Sequence, residues 1–80
     1  MSTDLTPTVI DALWYVAPEL DGTDIDARAD LQNDLGLDSM DSLNLVVAIK
    51  ERTGVEIPDR ELPRLRCVAD IAAYLEAQGQ

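Results

Sequence analysis

Apolar residues recur at helical spacing in three stretches of the 80-residue chain, and these stretches predict three helices. In the first, Val9, Leu13 and Val16 share one face, with Ile10, Trp14 and Ala17 beside it. Thr6-Pro7-Thr8 reads as its start, a threonine cap with proline just inside, and Pro18 as its stop. The apolar arc is wide, as a helix touching two neighbours requires, and Trp14 fits a core or rim position. The second helix is predicted from about Met40 to Arg52 and carries two stripes. One is Leu45 and Ile49 flanked by Val46; the other is Met40, Leu43 and Val47, at steps of three and four. One stripe must face the core, while the other can stay partly exposed. Thr53-Gly54 closes this helix, with Gly54 as a left-handed cap. The third helix is predicted over Val68–Ala77, where Val68, Ile71, Ala72 and Leu75 fall at i, i+3, i+4 and i+7, and Gly79 ends it.

The stretches between are less regular. Residues 18–38 show no sustained period, and Pro18, Gly22 and Gly36 punctuate them. Asp21, Asp24, Asp26 and Asp30 keep this loop wet, and Ile25, Leu31, Leu35 and Leu37 are its expected anchors to the core. A loop of this length is uncommon and usually functional. Its acids lack the Asp-x-Asp-x-Asp-Gly order of a calcium-binding EF-hand, so calcium is rejected there. Val55-Glu56-Ile57 is extended ahead of Pro58. Asp59-Arg60-Glu61-Leu62 can form one short helical turn before Pro63, and Leu65 anchors the link that follows. The expected fold is therefore all-α, a single domain over residues 1–80. It is a small bundle of three main helices and one short one, with a long loop between the first two.

Composition narrows the partners. Sixteen acids against six bases give a net charge of −10, which repels nucleic acid and anionic membrane surfaces and suits partners with basic docking patches. A hydrophobic content of 46% is that of a folded domain, so the acidity does not signal disorder. The single cysteine, Cys67, excludes an internal disulfide and reads as a small, buried packing residue at the start of the last helix. Met1-Ser2-Thr3-Asp4 carries no basic segment, and no apolar run approaches membrane-spanning length. No membrane insertion, a cytoplasmic location and a monomeric state are expected.

The chain holds no histidine, so general base catalysis at neutral pH lacks its usual agent and a serine hydrolase triad is excluded. Metal ligation lacks clustered His or Cys, and no Gly-rich phosphate loop is present. The expectation is a substrate for enzymes, with no catalytic residues and no metal of its own. The candidate for modification is Ser39. Gly36 lets the backbone turn tightly just before it, and Asp38 and Asp41 place negative charge at the positive end of the second helix. Two readings stand side by side. Ser39 is held in a fixed, solvent-open place suited to a modifying enzyme, or it is only a helix cap on an acidic interaction module.

Asp34-Leu35-Gly36-Leu37-Asp38-Ser39-Met40, followed by Leu45, Ile49 and Val55-Glu56-Ile57-Pro58, resembles the acyl carrier protein family. The resemblance runs from about Leu31 to Leu75 and fits the whole length. It implies that Ser39 is esterified to 4′-phosphopantetheine, with Asp38 in support, by a phosphopantetheinyl transferase using coenzyme A. The arm's thiol would hold acyl groups as thioesters for acyl transferases, synthases or ligases with basic or mixed docking patches. The pathway could be fatty-acid, polyketide or another specialised one; an aminoacyl carrier is the alternative. The resemblance also favours docking over burial for Met40, Leu43 and Val47, together with Asp41. Several residues depart from the family's pattern. Met40 replaces the usual Leu, Asn44 stands where many fatty-acid carriers have Glu, and Lys50 and Arg52 sit in a segment that is often acidic. Thr53 replaces a larger apolar residue, with Trp14 available to fill the space. Leu37-Asp38 is closer to polyketide carriers than to peptidyl carriers. These departures imply a discrete carrier of a specialised pathway, poorly matched to housekeeping fatty-acid enzymes.

Overall fold

The computed structural model describes residues 4–78. They form α1 (Thr6–Val16), a 3₁₀ turn (Pro18–Leu20), α2 (Ser39–Thr53), a 3₁₀ segment (Asp59–Arg64) and α3 (Val68–Ala77), with no strand among the described residues. The helix-3 stop assigned to Gly79 lies outside them. α1 packs against both α2 and α3, which accounts for its wide apolar arc. Val9 and Leu13 from α1, Ile49 from α2, and Val68 and Leu75 from α3 are fully buried at the centre. Replacing one of these large side chains by alanine would cost about 2–5 kcal/mol, a large part of a small domain's stability. Ala12 of α1 and Ala48 of α2 complete the core as small residues.

Two helix starts differ from the pattern-based expectation. Thr6 is the first residue inside α1; the capping position is Leu5, and the orphan Thr6 N–H donates to Asp4 Oδ1 at 2.9 Å. That bond holds the Asp4 carboxyl below its usual range. α2 starts at Ser39 and ends at Thr53, one residue wider at each end than Met40–Arg52. Gly54 closes it in the left-handed region (φ 77°), its N–H donating to the Lys50 carbonyl at 2.8 Å. The 3₁₀ segment continues through Pro63 to Arg64, because a fixed φ near −65° suits a 3₁₀ turn as well as an α-helix start. Cys67 occupies the capping position of α3 and is half-buried rather than buried. Trp14 is a rim residue on an open groove with Ile10, Ile25 and Arg52, and its indole N–H is buried with no acceptor among the described residues.

The long loop is anchored as its leucines predict: Leu31 and Leu37 are 4% exposed, and Ile25 and Leu35 pack against the core from the edge. Its acids do more than hold water. Asp30 Oδ1 accepts the N–H groups of Gln32 and Asn33, both at 2.9 Å, and Asp26 Oδ1 accepts that of Arg28 at 2.9 Å, so these two acids build turns. The Leu31 N–H donates to the Arg66 carbonyl and the Ala69 N–H to the Ala27 carbonyl, both at 2.8 Å. These bonds tie the loop to the start of α3.

Candidate functional site

The first turn of α2 gathers the candidate residues Asp38, Ser39, Met40 and Asp41. Gly36 sits at φ 77°, the conformation that a side chain would oppose, and brings the chain round into the helix. Asp38 is extended and its Oδ1 accepts the Asp41 N–H at 2.9 Å, while Asp41 Oδ2 accepts the Asp38 N–H at 3.3 Å. This reciprocal pair is a capping box built from two aspartates. The cap is therefore Asp38, and Ser39 is the first helical residue. The reading of Ser39 as the cap is corrected on this point: its hydroxyl makes no hydrogen bond among the described residues, and the residue is exposed. A serine that caps nothing, at the mouth of a helix whose first N–H groups carry partial positive charge, is well placed to carry a phosphodiester.

Met40, Leu43 and Val47 are 65%, 41% and 55% exposed, while Leu45 and Ile49 are 2% and 0%. Of the two stripes on α2, the one beside Ser39 faces outward. Tyr15 of α1 is 68% exposed and lies alongside Asn44 and Val47, which extends this apolar strip onto a second helix. Sequence reasoning missed Tyr15, since an exposed aromatic on a helix has no periodic signature.

A second feature was not anticipated. A cleft of about 240 Å³ opens beside α2. Leu45, Val46 and Ile49 form one wall, and Ile57, Leu62 and Leu65 face them from the extended stretch, the 3₁₀ segment and the link to α3. Asp30, Gln32, Ser42 and Arg66 supply its polar part. Ser42, one turn beyond Ser39, donates its hydroxyl to the Asp38 carbonyl at 3.2 Å. Asp30 Oδ2 meets Arg66 Nη2 at 3.0 Å, with side chains 22% and 66% exposed. The Asp30 carboxyl is held below its usual range, chiefly by the Asn33 N–H, with the Gln32 N–H and Arg66 adding to it against the opposing effect of burial. The cleft is built from five separate stretches of the chain, so no single one announces it.

Comparison with known proteins shows the family. Residues 9–75 match the family described as the phosphopantetheine attachment site. The acyl carrier protein of Bdellovibrio bacteriovorus is 41% identical over 61 residues, 76% of this chain and 78% of the relative. That of Akkermansia muciniphila is 44% identical over 52 residues, 65% of each chain. Acyl carrier protein 3, mitochondrial, of Arabidopsis thaliana is 45% identical over 53 residues, 66% of this chain but only 40% of that relative. The chain belongs to the acyl carrier protein family. Members of that family carry groups and do not catalyse, and the matched description implies a covalently attached phosphopantetheine.

Proposed function

We propose that Ser39 takes the 4′-phosphopantetheine arm and that the chain ferries acyl groups, held as thioesters on that arm, between the enzymes of a fatty-acid, polyketide or other specialised pathway. The observation that carries this reading is the division of labour at the start of α2: Asp38 caps the helix and leaves the exposed Ser39 hydroxyl uncommitted. In the loading step a phosphopantetheinyl transferase binds the first turn and coenzyme A together. The Ser39 oxygen bonds to the phosphorus next to the pantetheine, the bridging P–O bond breaks, and the adenosine half leaves with the other phosphate. The serine proton passes to a base on the transferase, since this chain has no histidine to accept it. Once loaded, the tether raises the cargo's effective concentration at each partner's active site.

Partners dock on the same side. Asp38 and Asp41 steer enzymes bearing basic or mixed patches, and Met40, Leu43 and Val47 supply the desolvated contact that sets residence time. The cleft shelters cargo between visits. A water-sized group occupies about 30 Å³, so 240 Å³ accommodates roughly eight methylene-sized groups, a medium acyl chain. Incubation with coenzyme A and a broad-specificity transferase, read by intact mass, tests the assignment. The wild type should gain one pantetheine phosphate and Ser39→Ala none. Labelling of Ser39→Ala would sink the assignment of the site.

A further inference from the structure

The cleft has two unlike ends. Ser42, then Leu45 and Val46, then Ile49 line it on successive turns of α2, and Ile57 lies past that helix's end. The Ser42 end is the one nearest Ser39. The loop's polar residues come to this same end. The Leu37 N–H, next to the cap of α2, donates to the Leu31 carbonyl at 2.9 Å, and the Leu31 N–H donates to the Arg66 carbonyl at 2.8 Å. Cargo that arrives from Ser39 therefore meets Asp30, Ser42 and Arg66 first and hydrocarbon beyond.

Arg66 is the cation that lines this cleft among the described residues, in a chain of net charge −10. Asp30 plants it there. One oxygen of Asp30 is filled by the Gln32 and Asn33 N–H groups, and the other takes Arg66 Nη2. A guanidinium has five N–H donors, and the Arg66 side chain makes no other hydrogen bond among the described residues. The entrance thus carries guanidinium N–H donors that Asp30 leaves to water or to cargo.

We infer that Arg66 is a specificity-determining residue for cargo: it retains acyl groups with an oxygen on the β-carbon over plain saturated ones of equal length. This rests on the carrier reading of Ser39. When the tail fills the apolar end, the carbons next to the thioester lie at the entrance. An oxo or hydroxyl oxygen there accepts from Arg66. A methylene in the same place displaces water from the guanidinium and returns nothing, and a site built to donate disfavours a ligand that cannot accept. Arg66 remains largely hydrated, so the preference is that of one net hydrogen bond, about fivefold.

The test loads the protein with octanoyl or β-oxo-octanoyl arms from the corresponding coenzyme A thioesters and confirms each load by intact mass. Thioester cleavage by hydroxylamine is then timed, each rate divided into that of the same thioester on free pantetheine. Wild type should protect β-oxo-octanoyl about fivefold more than octanoyl. Arg66→Gln should erase the difference between the two cargoes, and Arg66→Lys should keep part of it. Equal protection of the two cargoes in wild type, or a preference that survives Arg66→Gln, overturns the inference. Failure of Ser39 to take any arm shows at the mass step and overturns the carrier reading along with it.

Discussion

Capping and modification fall on adjacent residues, so they can be separated by mutation. Asp38→Ala removes one bond, the 2.9 Å contact from the Asp41 N–H. The Asp41 carboxylate keeps its own bond to the residue-38 N–H, and Ser42 keeps its bond to the residue-38 carbonyl, because both use backbone atoms. The loss is then that of one N-cap, about 1 kcal/mol within a range of 0.5–2. For a domain of this size it lowers the melting temperature by about 4–8 °C per kcal/mol. Asp38→Asn retains an acceptor and should recover most of the loss. Ser39→Ala breaks no hydrogen bond and sits exposed in a first turn that tolerates alanine, so it should stay within about 0.5 kcal/mol of wild type. Urea unfolding followed by far-UV circular dichroism, with the denaturant slope held common to all variants, reads these differences directly. If Ser39→Ala destabilises as much as Asp38→Ala, Ser39 shares the cap and the argument for its uncommitted hydroxyl fails.

Two further outcomes follow from charge. With net charge −10 and loop acids Asp21, Asp24, Asp26, Asp30, Asp34 and Asp38, added salt or divalent cations should raise the melting temperature near neutral pH; indifference to ionic strength would contradict this. The second concerns acid. A carboxyl held below its ordinary value of 3.8 contributes stability that is complete above that value and lost as pH falls through the lower, folded-state value. Asp30→Asn should therefore flatten the acid side of the stability curve below about pH 4, and an unchanged acid limb would show that the loop bonds do not favour the charged form.

The helices and their buried faces were legible because burial imposes a period: Val68, Ile71, Ala72 and Leu75 face inward as their spacing requires. The cap of α2 was less so, because Asp38 and Ser39 are both good capping residues and only the backbone angles tell which one precedes the helix. An aspartate at the fourth position of the box, in place of Glu or Gln, further hid the signal. The Pro18–Leu20 turn is too short to have a period, and Pro63 reads as a stop only if α-helix is the sole alternative. The cleft and its Asp30–Arg66 pair join residues 36 apart in sequence, and nothing local marks them as neighbours.

The charge of α2 shows what tertiary context adds. Within Met40–Arg52 the acids and bases cancel, which predicts poor service by enzymes with basic patches. Two acids from outside that span change the balance. Glu56 meets Lys50 at 3.2 Å, and Asp11 of α1 meets Arg52 at 3.4 Å, where the guanidinium also lies 5.3 Å from the centre of the Tyr15 ring. The surface near the end of α2 is thus more acidic than the helix alone suggests, and its bases are partly occupied. Asn44 is different: it lies on the outward strip with Val47 and Tyr15 and has no charge to compensate. Asn44→Glu should raise turnover by an enzyme tuned to acidic carriers more than Lys50→Glu does, since the latter also sets two like charges together at Glu56. Exposed pairs of this kind are worth about 0–1 kcal/mol, so the expected separation is a few-fold in rate and shrinks with salt. Matched holo-proteins acylated by one housekeeping transferase at fixed ionic strength provide the comparison. Equal gains from both substitutions would mean that the paired Lys50 repels such enzymes as strongly as an unpaired base. A wild-type rate already equal to that of a housekeeping carrier would remove the charge argument for a specialised pathway altogether.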